Sequence, residues 1–153
     1  MEKRTAAVLE VALAGLADAG AIANLHGRLF DAPWRRTEIE RLMQHPAALA
    51  LTARTAAGPL LVGFLIAFLA GGEAEILSLG VAPERQRHGV ARSLLETFAD
   101  MVRSRDVRRV VLEVAENNPA ATALYTGCGF ELAGRRPYYY GGTTAALVLA
   151  KEL

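Results

Sequence analysis

The chain has 153 residues, 52% hydrophobic and 22% charged, with 17 Lys+Arg against 16 Asp+Glu for a net charge of +1. So much apolar content excludes a disordered chain and suffices for one buried core, and a charge this near zero removes bulk attraction to nucleic acid or an anionic membrane. The one cysteine, Cys128, excludes an internal disulfide, and His26, His45 and His88 are scattered without metal-ligand spacing, so no metal is expected.

In chain order, the start lacks the basic residues, apolar run and cleavage site of a signal peptide, and residues 4–13 predict a first strand weakened by alanines. Asp18 to Phe30 carries Ile22, Leu25, Leu29 and Phe30 at helical spacing, with Asp18 as the expected cap. A second helix is expected from about Thr37, with Ile39, Leu42 and Met43 on one face, ending at His45-Pro46. Three strand-like runs follow, Ala48–Thr55, Leu60–Leu69 and Glu73–Val81, joined by turns short enough for an antiparallel meander. The middle run is apolar on both faces, which predicts a central strand; with Gly63 inside it, it is too short to span a bilayer. Gly89 to Ser104 predicts a helix buried along Val90, Leu94, Leu95, Phe98 and Met101/Val102, and Arg109–Val114 a β-branched strand, which permits a parallel crossover. Asn118-Pro119 opens a helix through Tyr125, Gly127-Cys128-Gly129 closes it, and Phe130–Arg135 and Ala145–Ala150 read as the last strands. The expectation is a soluble, cytoplasmic, single-domain protein over residues 1–153.

Chemistry concentrates in a few places. Leu77 to Leu95 is a strand, a basic glycine-bearing turn and a helix start, which suits an anion such as a phosphate; the alternative is a surface turn with solvated Arg85, Arg87 and Arg92. Gly80 marks either a bulge or close backbone approach that would open a slot beside the strand, or simple relief of twist. Glu113 shares a strand side with Val111; an apolar surround disfavours an ionised carboxylate and suits a general base, whereas a solvent-facing residue is the alternative. Tyr125, late in a short helix, is either an exposed phenol that gives a proton to a departing thiolate or, as most tyrosines in such a place, a packed ring. Asn117 and Asn118 are expected to cap the next helix, and either amide could face a ligand. Cys128 has no histidine placed to activate it and reads as a small packed thiol.

Taken together, Val81-Ala82-Pro83, Gln86-x-x-Gly89-x-Ala91, Leu112-Glu113-Val114 and Asn118-x₆-Tyr125-x₃-Gly129-Phe130 resemble the GNAT family of acetyl-CoA-dependent N-acetyltransferases over roughly residues 20–150. Within it, Phe30-Asp31-Ala32-Pro33-Trp34, the Glu113/Tyr125 pair and Arg135-Arg136-Pro137-Tyr138-Tyr139 are most similar to the RimI-type ribosomal-protein alanine N-acetyltransferases. The resemblance implies an α/β (α+β) fold: a mixed, mostly antiparallel sheet of six to seven strands, splayed into a V between the fourth and fifth, with about four helices. It implies that acetyl-CoA is the co-substrate. Gln86, Arg87, His88, Gly89, Val90, Ala91 and Arg92 would hold its pyrophosphate, Leu79, Gly80 and Val81 its pantetheine arm and acetyl carbonyl, and Asn118 would also contact it. Glu113 would take the proton and Tyr125 would give one, while Trp34, Tyr138 and Tyr139 would wall a peptide site; core packing explains Trp34 equally well. Relatives carry acidic residues before the last strand where this chain has Gly141-Gly142-Thr143-Thr144-Ala145.

The expected function is acetylation of the α-amine of a protein N-terminus, that of a ribosomal protein in particular. Arithmetic favours such an amine: with reference pKa values of about 8 and 10.4, its neutral fraction at pH 7 exceeds that of lysine by a few hundred-fold. The rivals are a GNAT enzyme for a small amine or lysine, which for a polyamine would want acids around the slot, and a non-catalytic acyl-CoA sensor.

Overall fold

The computed structural model describes residues 8–56, 58, 60–140 and 144–153, with backbone alone for 138–140. The elements are β1 (Leu9–Leu13), α1 (Ala19–Leu29), α2 (Arg36–Gln44), β2 (Ala48–Thr55), β3 (Leu61–Ala70), β4 (Glu73–Val81), α3 (Val90–Arg103), β5 (Arg109–Ala115), α4 (Pro119–Gly127), β6 (Glu131–Tyr140) and β7 (Thr144–Glu152), with 3₁₀ turns at Leu16–Asp18 and Pro83–Arg85. Among the described residues the strands hydrogen-bond in the order β1-β2-β3-β4-β5-β7-β6. β1 pairs antiparallel with β2, as do β5 and β6 with β7, whereas β4 and β5 are parallel through the α3 crossover. This is the mixed, mostly antiparallel sheet with four helices that the family resemblance implied. By internal contact the chain forms two compact units, Met1–Ile66 with Ser78–Leu94, and Ala67–Leu77 with Leu95–Leu153.

In the first unit the periodic residues are buried as expected: Ile22 and Leu25 of α1, Ile39 of α2, and Val90 and Leu94 of α3. Two helix starts differ from expectation. Asp18 precedes α1 but does not cap it; its carboxylate accepts from the Gly15 N–H at 2.8 Å and pairs with Arg54 at 2.8 Å, so it closes the 3₁₀ turn and anchors β2. α2 begins at Arg36 because the Glu38 carboxylate reaches back to the Arg35 N–H, at 3.3 Å, ahead of Thr37. Phe30 lies just past α1 and is 40% exposed.

Two glycines set the packing of this unit. A Cβ on Gly63 would lie 3.0 Å from Val90 and 3.1 Å from Leu94, so the bare backbone of β3 lets the first turns of α3 sit directly on it. A Cβ on Gly80 would lie 2.6 Å from the Phe64 ring and 2.7 Å from Leu29. Phe64 is fully buried and has nowhere to move. Close approach is therefore what Gly80 provides. Gly80→Ala is expected to cost roughly 1–3 kcal/mol by overpacking, measured as a lower urea midpoint at unchanged slope. An unshifted midpoint would contradict it.

In the second unit β5 alternates strictly: Val110, Leu112 and Val114 are buried, while Arg109, Val111, Glu113 and Ala115 occupy the other, half-open side. The parallel ladder runs from Glu73↔Arg109 to Ile76↔Leu112. β7 lies between β5 and β6, with Glu113 opposite Val148, Val148 opposite Gly134, and Ala146 opposite Arg136. Both final strands extend beyond the expected spans, β6 to Tyr140 and β7 to Glu152. Gly129, at φ +94°, ends the α4 turn, and the Phe130 N–H bonds back to the Tyr125 carbonyl at 3.0 Å.

Candidate active site

The anion turn lies wholly in the first unit. Val81 ends β4 buried, Ala82 donates to the Val62 carbonyl at 2.8 Å, and the Pro83–Arg85 turn follows. The Gln86 amide then folds back to donate to the Val81 carbonyl at 3.1 Å, closing the loop on the strand it left. Gln86 thus shapes the turn. Arg87 stands at φ +65° and Gly89 at φ +82°, so the chain crosses into the left-handed region twice within three residues. For arginine this costs on the order of 1 kcal/mol, and a turn that holds such strain turns successive N–H groups to one side. Gly89 is needed for its φ and not for lack of room, since a Cβ there would meet no atom within 4 Å. Gln86, Arg87, His88, Gly89 and Arg92 are exposed, Leu79 and Ala91 half-buried, and Gly80, Val81 and Val90 buried. α3 begins at Val90, which adds its first backbone N–H groups and the positive end of its dipole. An exposed basic turn of this shape fits a diphosphate.

Glu113 lies in the second unit, with surroundings unlike the apolar strand side expected for it. Its side chain is 20% exposed and its Oε1 is 3.1 Å from the Arg136 Nε. It opens on a groove of about 480 Å³ that also receives Glu73 and Glu75 from β4, Arg109 from β5 and Arg135 from β6. Three carboxylates thus face three guanidinium groups. Reading from sequence missed Glu73 and Glu75 here, although the alternation Glu73-Ala74-Glu75-Ile76 was a usable sign, since Ala74 and Ile76 are the buried partners. Arg109 Nε is buried and forms no hydrogen bond; it lies 3.3 Å from Glu152, near enough for charge but poorly aimed.

Of the two readings of Tyr125, the structure has the packed ring. Its side chain is buried on α4, edge-on to Phe130 at 5.7 Å, and desolvation, helped by nearby Cys128, pushes its pKa up to about 12. The ring stays protonated wherever a thiolate would leave. Asn118 caps α4 as expected: its Oδ1 accepts from the Ala121 N–H at 3.2 Å. Cys128 is half-buried one turn after Tyr125. Trp34 belongs to the first unit, where its backbone N–H donates to His26 Nδ1 at 3.0 Å and its indole stacks on that imidazole at 4.8 Å and 16°. His26 is itself buried, and desolvation holds its pKa below the ordinary value against the opposing charge of Glu38. Trp34 also lines a shallow cup of about 240 Å³ with Glu38, Arg41 and Leu42, so packing and exposure both apply to it. The sequence signal for His26 was its i,i+4 spacing to Ile22 and Phe30.

The structure therefore gathers Leu79, Gly80, Val81, Gln86 to Arg92 and Trp34 in the first unit, and Glu113, Asn118 and Tyr125 in the second. Tyr138 and Tyr139 contribute backbone to β6, and their side chains lie outside the described residues, as do residues 141–143 altogether. Among the described residues no group of three or more His, Cys, Asp or Glu is placed to hold a metal, and no helix is long and apolar enough to cross a membrane.

The family model described as Acetyltransferase (GNAT) family matches residues 20–130. The [Ribosomal protein bS18]-alanine N-acetyltransferase of Escherichia coli K12 is 37% identical over 93 residues, covering 59% of this chain and 63% of that protein, just under two thirds of its length. The N-alpha-acetyltransferase RimI of Mycobacterium tuberculosis is 36% identical over 130 residues, covering 81% of this chain and 79% of that one. The crystal structure of the ribosomal-protein-S18-alanine N-acetyltransferase from Escherichia coli superposes with a TM-score of 0.86 at 28% identity, covering 95% of this chain and 94% of that one.

Proposed function

Because the chain belongs to the GNAT family of acetyltransferases, whose model matches residues 20–130, we propose that it transfers an acetyl group from acetyl-CoA to the α-amine of a protein N-terminus, in the cytoplasm, with a ribosomal protein beginning in alanine as its acceptor. The observation that carries this reading is the setting of Glu113: a half-buried carboxylate, paired with Arg136, opening on a groove whose charges balance. A polycationic small amine would call for a surplus of acids there, whereas a peptide with a single reacting amine does not. Resemblance to relatives named for N-terminal acetylation supports the acceptor class.

Acetyl-CoA, when bound, supplies a thioester carbonyl open to attack. The turn from Gln86 to Arg92 holds its pyrophosphate on backbone N–H groups and arginine charge, and the end of β4 from Leu79 to Val81 carries its pantetheine arm, with Asn118 as a further contact. Backbone N–H groups near Val81 polarise the carbonyl. Glu113, directly or through a water, takes the proton from the incoming ammonium, and the phenol of Tyr125 gives a proton to the departing sulfur. No covalent acyl-enzyme is involved, and Cys128 is a bystander.

The test is a panel of acceptors at equal concentration: peptides differing in their first two residues, an N-blocked peptide with a free lysine, and spermidine. The expected result is turnover of alanine-first peptides at least about tenfold above the blocked peptide and spermidine, read as kcat/KM. Acetylation of spermidine alone would overturn the reading.

A further inference from the structure

The pair Arg135-Arg136, singled out from the sequence only as a likeness, has a definite place in the second unit. β7 separates β6 from β5, so a side chain on β6 must span two strand spacings, about 9–10 Å, to reach β5. Arg136 does so over Ala146 and Val148 of β7, and its Nε comes to 3.1 Å from Oε1 of Glu113. The neighbouring Arg135 makes a second tie, donating from Nε and Nη2 to the two carboxylate oxygens of Glu116, just beyond the end of β5. Those bonds hold the Glu116 carboxyl below the usual carboxylate range. The Arg135–Glu116 pair is about half exposed and the Arg136–Glu113 pair has its guanidinium in solvent, so both contribute little to stability. What they supply is geometry at the C-terminal end of β5.

Resting on the reading of Glu113 as the proton acceptor, we infer that Arg136 is a positioning residue for it. The Arg136 guanidinium, a rigid plane whose Nε lies 3.1 Å from Oε1, pairs with the Glu113 carboxylate and restrains it at the groove. Lysine cannot substitute: its ammonium has no such plane, and its donors rotate freely. Arg135, by clamping β6 to the turn after β5, keeps the Arg136 backbone at the distance this reach requires.

The test compares Arg136→Ala, Arg136→Lys and Glu113→Gln with the double variant, using acetyl-CoA and a synthetic alanine-first peptide. Arg136→Ala is expected to lower kcat on the order of tenfold at unchanged KM for acetyl-CoA and unchanged melting temperature, with ethylguanidinium restoring activity and ethylammonium not. Arg136→Lys is expected to behave like Arg136→Ala. In the Glu113→Gln background, adding Arg136→Ala is expected to cost nothing further, because the residue acts only through the carboxylate. A wild-type kcat in Arg136→Ala overturns the inference, as does a loss that guanidinium cannot rescue or that adds in full to that of Glu113→Gln. In those cases an inactive Glu113→Gln leaves the base assignment standing; an active one removes it independently of Arg136.

Discussion

Glu113→Gln is expected to lower kcat by about 10²- to 10⁴-fold, the range of a lost general base, with affinity for acetyl-CoA within about a factor of two. Glutamine keeps the shape of the side chain and changes only its charge, so the end of β5 stays as it is. What it lacks is an atom able to take a proton at neutral pH. The residues proposed to hold the pyrophosphate and pantetheine, Leu79 to Val81 and Gln86 to Arg92, belong to the other compact unit, so binding is expected to survive. Losing one partly exposed ion pair leaves the melting temperature nearly unchanged. Stopped-time acetylation assays and calorimetric titration with acetyl-CoA check the two halves separately. Equal turnover in the variant would remove Glu113 from the mechanism.

Tyr125→Phe is expected to lower kcat on the order of ten- to a hundredfold, less than loss of the base, because a thiol of pKa about 8.5 already leaves readily. With its pKa pushed up to about 12, the phenol is protonated throughout the working range, so any basic limb of the pH–rate profile below about pH 10 must survive in the variant. Stability carries a second signature. A tyrosine whose proton is held more tightly in the folded than in the unfolded chain contributes fully below pH 10, the unfolded value, and loses that contribution as pH rises toward 12. The wild type should therefore lose on the order of 2–3 kcal/mol across that window from this group, and Tyr125→Phe should not. Urea unfolding of both proteins at about pH 9 and about pH 11.5 measures the difference. Parallel losses in the two proteins would mean that Tyr125 is solvated like any surface phenol.

Reading the sequence located the elements because each carries its own period. The stripe Val90, Leu94, Leu95, Phe98, Val102 is buried as its spacing required, and the doubly apolar run after Leu60 is a strand buried on both faces from Leu61 to Ala67. Local chemistry was less legible where a side chain had two possible partners: Asp18 bonds Gly15 and Arg54 instead of capping α1, and Arg54 stands 36 residues away in the chain. The least legible part was the setting of Glu113. Its neighbours Glu75 and Arg136 stand 38 residues before and 23 after it in the chain, and only strand pairing brings them together. Tyr125 was left between two readings for a related reason. One short helix does not reveal which of its sides the chain will cover, and here the cover is Phe130, folded back by the turn at Gly129.

Trp34 is the one tryptophan in the chain, and its indole lies flat against a buried imidazole at 4.8 Å. A neutral histidine and a protonated one quench such a ring to different extents, and burial keeps His26 neutral to lower pH than a free imidazole. All tryptophan emission from the unlabelled protein therefore comes from this contact. It is expected to change when acid breaks the bond from the Trp34 N–H to His26. The loop after α1 carries its own optical gauge, which can be read without dye, tag or substitution.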